Sequence, residues 1–335
     1  MYKRQEYGEE AELKAFIRRL NDRIKEFKEV KLQMSYGVYT VEDREMELRQ
    51  MEDRAAMARK TAKESIIGNI VFYREQFKDS LYNRRFIEEN MQAAITQRQY
   101  LMYLQPKYSI EKNEITGAEA LVRWRHPERG MIYPDQFIPI LEENGFIRKV
   151  DYYIWEEACR FIRRCSDEGL PACPISVNVS RAHLQDDKCI RVLHDMIERN
   201  GISRQLLELE ITETVDNEQV SRKAYQLKEE GYRLLMDDFG SGYSSLNILL
   251  ETPFDLIKLD KKFMENMMLS DKGRLILEQV VAMANKLGLE LLAEGVETKE
   301  QVELLRSIGC DQVQGYYYAK PMPAEEFYTL LKEQN

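Results

Sequence analysis

Histidine is scarce. The 335 residues hold three, His126, His183 and His194, and none falls at a candidate strand end or in a metal-ligand spacing. Each reads as a surface or packing residue, which sets aside a zinc or copper centre built on imidazole. Cys159, Cys165, Cys173, Cys189 and Cys310 are odd in number and match no zinc or haem pattern. They read as reduced, partly buried thiols of a cytoplasmic protein. The formal net charge is -9. Lacking an excess of Lys and Arg, the chain is not expected to bind polymeric nucleic acid or an anionic membrane, although a local basic pocket for a small anion stays open. No charged-then-apolar leader opens the sequence, and no apolar run reaches the roughly 18 residues that span a bilayer, so no membrane segment is expected.

Apolar material is ample. Hydrophobic residues make up 44% of the chain, enough for one large domain or two smaller ones. Leu13, Phe16, Ile17, Leu20, Ile24 and Phe27 recur at helical spacing between Glu9 and Phe27. A strand-like piece, Val30 to Tyr39, a helical pattern from Met46 to Ala62 and an apolar run from Ile66 to Tyr73 follow, and a charged helix from Glu75 to Arg98 leads onward. From Gln99 a cycle of strand, loop and helix sets in. Its candidate strands are Tyr100 to Tyr108, Ile115 to Trp124, Ile175 to Val179, Leu206 to Ile211, Tyr232 to Met236, Leu256 to Leu259, Leu289 to Ala293 and Asp311 to Gln314. Amphipathic stretches such as Asp151 to Ser166, Cys189 to Arg199, Ser221 to Glu229 and Gly273 to Leu287 lie between them. This order predicts an α/β fold, a TIM-like (β/α)8 barrel, in preference to a doubly wound sheet.

Polar residues fall at chosen places in these strands. Glu119 lies in the second, Asn178 and Glu210 near the ends of the third and fourth, and Asp237 and Asp238 at the end of the fifth. Lys258 is in the sixth, Glu294 just after the seventh and Gln314 at the end of the eighth. One buried carboxylate has many structural explanations, but a ring of them at one barrel mouth calls for cations, because an unpaired buried charge is costly. Oxygen donors of Glu, Asp and Asn suit Mg²⁺ or Mn²⁺. The adjacent Asp237 and Asp238 can bring two such ions close enough to act on phosphorus. In an extended chain the two point to opposite sides, so both serve one site only where the pleat opens. Lys258 could orient water or neutralise developing charge, or serve as a structural ion pair.

Glu119-Ala120-Leu121-Val122-Arg123-Trp124 resembles the signature of the EAL domain family, the cyclic di-GMP phosphodiesterases. The resemblance continues through Gln105-Pro106, Asn178-Val179-Ser180, Glu210-Ile211-Thr212-Glu213, Asp237-Asp238-Phe239-Gly240, Ile257-Lys258-Leu259-Asp260, Glu294-Gly295-Val296-Glu297 and Gln314-Gly315-Tyr316. It implies a barrel with an atypical first strand and metal-dependent hydrolysis of cyclic di-GMP to linear pGpG. By position, Glu119, Asn178, Glu210 and Asp237 would bind metal, with Asp238 and Glu294 completing a second ion's surroundings. Glu119, Glu294, Lys258 and Gln314 would form the catalytic set, the last two holding the attacking water. Gln105, Val122, Arg123, Tyr316 and, in a supporting place, Glu297 would meet substrate, and Glu213 would anchor the loop after the fifth strand. Ca²⁺ would occupy the oxygen sites without supporting turnover. Some members of this family have lost catalytic residues and act as receptors or interaction modules; every matched position is present here, which favours an enzyme.

Residues 1–78 resemble the final part of a GGDEF domain through Met34 to Tyr39, Arg54 to Lys63 and Ile70 to Tyr73, without its nucleotide-binding half. Diguanylate cyclase activity is therefore not expected, and a truncated GGDEF-EAL protein is. Residues 79–98 would be a connecting helix and 99–335 the EAL barrel, a homodimer joined through the barrel.

Overall fold

The computed structural model describes residues 10–25, 34–64, 70–186, 188–212, 218–241 and 245–334. Contacts divide the chain into Met1–Ile87 and Glu88–Asn335.

The first unit contains α1 (Glu10–Lys25), β1 (Tyr36–Val38), α2 (Leu48–Glu64) and β2 (Ile70–Phe72), and α3 (Glu75–Thr96) carries the division between units. The two strands pair in parallel, Tyr36 opposite Ile70 and Val38 opposite Phe72. Helix α2 crosses β1 so closely that a side chain at Gly37 would meet the Ala55 carbonyl oxygen at 2.0 Å, which only glycine tolerates. Arg54 lies over the rings of Tyr39 and Tyr73 and pairs with Glu75 at 3.0 Å. The helical and strand periodicities of this region meet these elements, while the early parts of the expected strand from Val30 and of the run from Ile66 lie outside the described residues.

In the second unit β3 (Tyr100–Ser109), β4 (Glu114–His126), β5 (Gly130–Ile132), α4 (Pro134–Glu143), α5 (Ile147–Asp167), β6 (Ile175–Asn178), α6 (Arg181–Leu184) and α7 (Cys189–Asn200) come first. Then follow β7 (Leu207–Thr212), α8 (Glu218–Glu229), β8 (Leu234–Phe239), α9 (Ser245–Glu251), β9 (Leu256–Leu259), α10 (Lys261–Met268) and α11 (Asp271–Leu287). The chain ends with β10 (Glu290–Ala293), α12 (Lys299–Ser307), β11 (Gln312–Val313), β12 (Met322–Pro323) and α13 (Ala324–Glu333). Strands β3, β4, β6, β7, β8, β9, β10 and β11 hydrogen-bond in that order and close on β3. All neighbours in the ring run parallel except that β3 is antiparallel to both β4 and β11. This is the expected eight-stranded barrel with an atypical first strand; β5 and β12 add to its edges.

Burial on both faces explains the unbroken apolar character of strands such as β9, every residue of which is buried. Outside the ring, α5 turns Val150, Ile154, Ala158, Phe161 and Ile162 inward at helical spacing. All five cysteines are buried, and burial raises the thiols of Cys159, Cys173, Cys189 and Cys310 to about 12.

Two strand readings are corrected. The fifth barrel strand runs on to Phe239, and its pairing with β9 slips between Met236 and Phe239. Asp238 there has φ 59, so the two aspartates lie in a local bulge, which frees them from strict alternation. His126 is the last residue of β4 and not clear of a strand end, yet its Nδ1 accepts from the backbone of Glu128 and Arg129. The ring closes the following turn.

Candidate active site

Parallel strands deliver their carboxyl ends to one mouth of the barrel, where loops leave side chains unpacked. Lys258, one residue from the end of β9, is 1% exposed and stands at the centre of that mouth. Its ammonium lies 3.2 Å from Glu119 Oε2, 2.7 Å from Glu210 Oε2, 2.9 Å from Asp237 Oδ1 and 2.7 Å from Glu294 Oε1. Gln314, just beyond β11, donates from Nε2 to Glu119 Oε2 at 2.7 Å and to Gln105 Oε1 at 3.1 Å. The structure thus brings seven of the expected residues, 139 positions apart in the case of Glu119 and Lys258, into one cluster of hydrogen bonds and ion pairs.

Four carboxylates on one ammonium leave negative charge in excess, and the protonation equilibria follow. Burial raises Glu119, Glu210 adds to the rise, and Lys258 only partly opposes it. Asp237 is likewise raised by burial against the pull of Lys258. Glu294, with its side chain 19% exposed, is pushed by burial to about 8. Burial also acts on Glu210, but Lys258 and Lys107 together outweigh it and hold this carboxyl below its ordinary value. For Lys258, burial disfavours the charge, but Asp237, Glu119, Glu210 and Glu294 overcome it and hold the group well above the usual lysine value.

The other expected residues surround this cluster. Asn178 ends β6 and is exposed, its backbone carbonyl accepting from the Trp155 indole at 3.0 Å. Asp238 is half-buried, with its N–H donating to Asp237 Oδ1 at 3.0 Å. Near the end of β4, Arg123 donates to the Val122 carbonyl at 2.9 Å and lies over the Tyr103 ring. Burial holds its guanidinium below the usual value. Tyr316 is exposed beside Lys320, and Glu297 pairs with Lys261 at 2.6 Å. That salt bridge is at the surface, apart from the Lys258 cluster among the described contacts. Glu213, the expected loop anchor, lies outside the described residues.

Oxygen donors alone fit a hard divalent cation. Gln314 Oε1 is buried with no hydrogen-bond partner among the described residues. Among the described residues no three His, Cys, Asp or Glu form a ready cage, and the Lys258 ammonium contacts all four clustered carboxylates. A metal could enter where one or more of them turn from Lys258.

Three contributors went unnoticed in the sequence. Lys107 and Glu208 are buried inside the barrel, 3.1 Å apart. Their signal was a charge two residues from Gln105 and from Glu210, hence on the same strand face. Trp155, fully buried on α5, fixes the end of β6 through the Asn178 carbonyl, and nothing in its helical pattern separated it from ordinary core.

The EAL domain profile matches residues 88–321. The cyclic di-GMP phosphodiesterase NbdA of Pseudomonas aeruginosa is 34% identical over 268 residues, 79% of this chain and 34% of its own length. An uncharacterized signaling protein of Caulobacter vibrioides is 37% identical over 276 residues, 81% of this chain and 33% of its own. The chain thus spans about a third of the length of these curated relatives. Among solved structures, the PaMucR phosphodiesterase in complex with c-di-GMP is similar at 33% identity with a TM-score of 0.68, covering 72% of this chain and 99% of that one. The matched span takes in every charged residue of the Lys258 cluster, and the chain belongs to the EAL domain family.

Proposed function

We propose that the barrel is a cyclic di-GMP phosphodiesterase that uses Mg²⁺ or Mn²⁺ and releases linear pGpG. The observation that carries this reading is the convergence of Glu119, Glu210, Asp237 and Glu294 on Lys258, with Gln314 alongside, at the carboxyl mouth of the barrel. The names of NbdA and of the PaMucR complex support the same substrate.

Glu119, Asn178, Glu210 and Asp237 would hold the first cation, and Asp238 and Glu294 would complete the second. When bound, the cations supply Lewis acidity toward a phosphate oxygen and lower the pKa of water. The chain's own groups do the rest. Arg123 forms charge-assisted hydrogen bonds to the phosphate. Gln105, Val122 and Tyr316 orient the dinucleotide, with Glu297 at the edge. Lys258 and Gln314 fix the attacking water, in line with the bond that breaks. Water oxygen bonds to phosphorus, the phosphorus bond to the 3′ oxygen breaks, and the proton lost by water ends on the released hydroxyl. Ca²⁺ would bind these oxygens without turnover. The barrel would pair with a second copy through α9, whose Leu246 and Leu250 are exposed.

Chromatography of cyclic di-GMP incubated with the purified chain and Mg²⁺ or Mn²⁺ tests the reading, with Glu119→Ala as control. Formation of pGpG by the parent alone is expected. Binding of intact cyclic di-GMP without product would replace the enzyme with a receptor.

A further inference from the structure

Below the Lys258 cluster the barrel holds a second ionic layer. Glu208 and Glu210 are two apart on β7, so both face inward, with Glu208 one layer further from the mouth. Lys107 on β3, 2% exposed, reaches between them. Its ammonium is 3.1 Å from Glu208 Oε2 and 3.5 Å from Glu210 Oε1. The remaining Glu208 oxygen, Oε1, is 3.3 Å from Arg233. Glu210 is therefore held at both oxygens, Oε1 by Lys107 from within and Oε2 by Lys258 at 2.7 Å from the mouth.

We propose that Lys107 is a positioning residue for the site. By contacting Oε1 it fixes the rotation of the Glu210 carboxylate, so that Oε2, held here by Lys258, is the oxygen turned to the mouth and to a cation that takes its place, while Glu208, itself paired with Arg233, moors Lys107. A carboxylate free to rotate could chelate with both oxygens or turn away; one pinned from behind offers a single oxygen at a set angle. Groups behind metal ligands act in this way, and their loss typically costs about 10–100-fold in metal affinity or activity. The inference rests on the metal-dependent reading of the mouth.

The bland alternative is that Lys107 merely neutralises buried Glu208. Removing both charges at once separates the two. In Lys107→Met/Glu208→Gln the layer stays neutral and the fold is expected to survive, as read by a cooperative thermal transition. Mn²⁺ affinity, measured by calorimetry, is expected to fall about 10–100-fold, with kcat falling more than KM rises. Glu208→Gln alone, which leaves Lys107 on Glu210, is expected to lose less. A double variant that binds Mn²⁺ and turns over like the parent would overturn the proposal, as would an equal loss from Glu208→Gln alone. A parent that binds no Mn²⁺ would overturn the metal reading and this inference with it, a result distinguishable from failure in the variants only.

Discussion

Lys258 and Lys107 are both fully buried lysines inside one barrel, one layer apart, yet their surroundings differ in charge. Four carboxylates approach Lys258. Lys107 meets two, one of them shared with Lys258 and the other already paired with Arg233. The lower layer is close to neutral and needs nothing further. The upper layer gathers more carboxyls than cations, and burial raises Glu119, Asp237 and Glu294 above ordinary carboxylate values, so that protonation relieves the imbalance. A cation bound as proposed at the mouth would offset the same imbalance. What separates a structural ion pair from a site is the balance of charge around it, and not burial alone.

The contrast breaks most sharply at the mouth. Asp237→Asn or Glu119→Gln is expected to take phosphodiesterase turnover below detection while far-ultraviolet circular dichroism stays native, because each removes a negative oxygen without removing volume. Retained hydrolysis in either would remove that residue from the metal set. Lys258→Met, which strips the central cation, should cost the metal-free protein about 3–5 kcal/mol in urea unfolding; Mn²⁺ should restore much of it by taking over the carboxylates.

Trp155→Phe keeps most of the apolar volume but loses the hydrogen bond to the Asn178 carbonyl. About 1–3 kcal/mol of stability is expected to go, with weaker Mn²⁺ binding as the accompanying sign. The pH response of the metal-free protein sharpens the comparison further. Glu294 holds its proton in the folded chain to about 8, whereas in the unfolded chain it releases it near the ordinary glutamate value. Between those limits the folded form binds more protons, so stability from this group falls as pH rises, by at most about 1.4 kcal/mol per pH unit. Saturating Mg²⁺ should abolish that slope and release protons on binding, which calorimetry in buffers of different ionisation heat would detect. A flat metal-free profile would contradict the excess charge. At the surface, Arg163→Ala, which breaks the 2.6 Å pair with Asp167 on α5, should change stability by no more than about 0.5 kcal/mol.

Much of this was legible in the chain. Fully buried parallel strands read as apolar runs, so each polar residue within them stood out, and Glu119, Glu210, Asp237 and Lys258 were identifiable before any coordinates. The end of the fifth barrel strand was not, because Asp238 adopts φ 59 within a bulge that no local propensity signals. Glu297 lies in a family motif, and its pairing with Lys261, 36 positions away, is visible only in the structure. Lys107 and Glu208 escaped notice because a lysine and a glutamate in separate strands carry no mark of pairing across 101 positions.

By itself the sequence determined the periodicities, and through them the closed barrel and the set of polar residues brought to its mouth, since strand alternation and burial are local properties of the chain. Only the tertiary structure decided how those charges share partners. Barrel closure sets which strands lie across from one another, and at distances near 3 Å that geometry makes Lys258 the hub of four carboxylates and Lys107 the support beneath one of them.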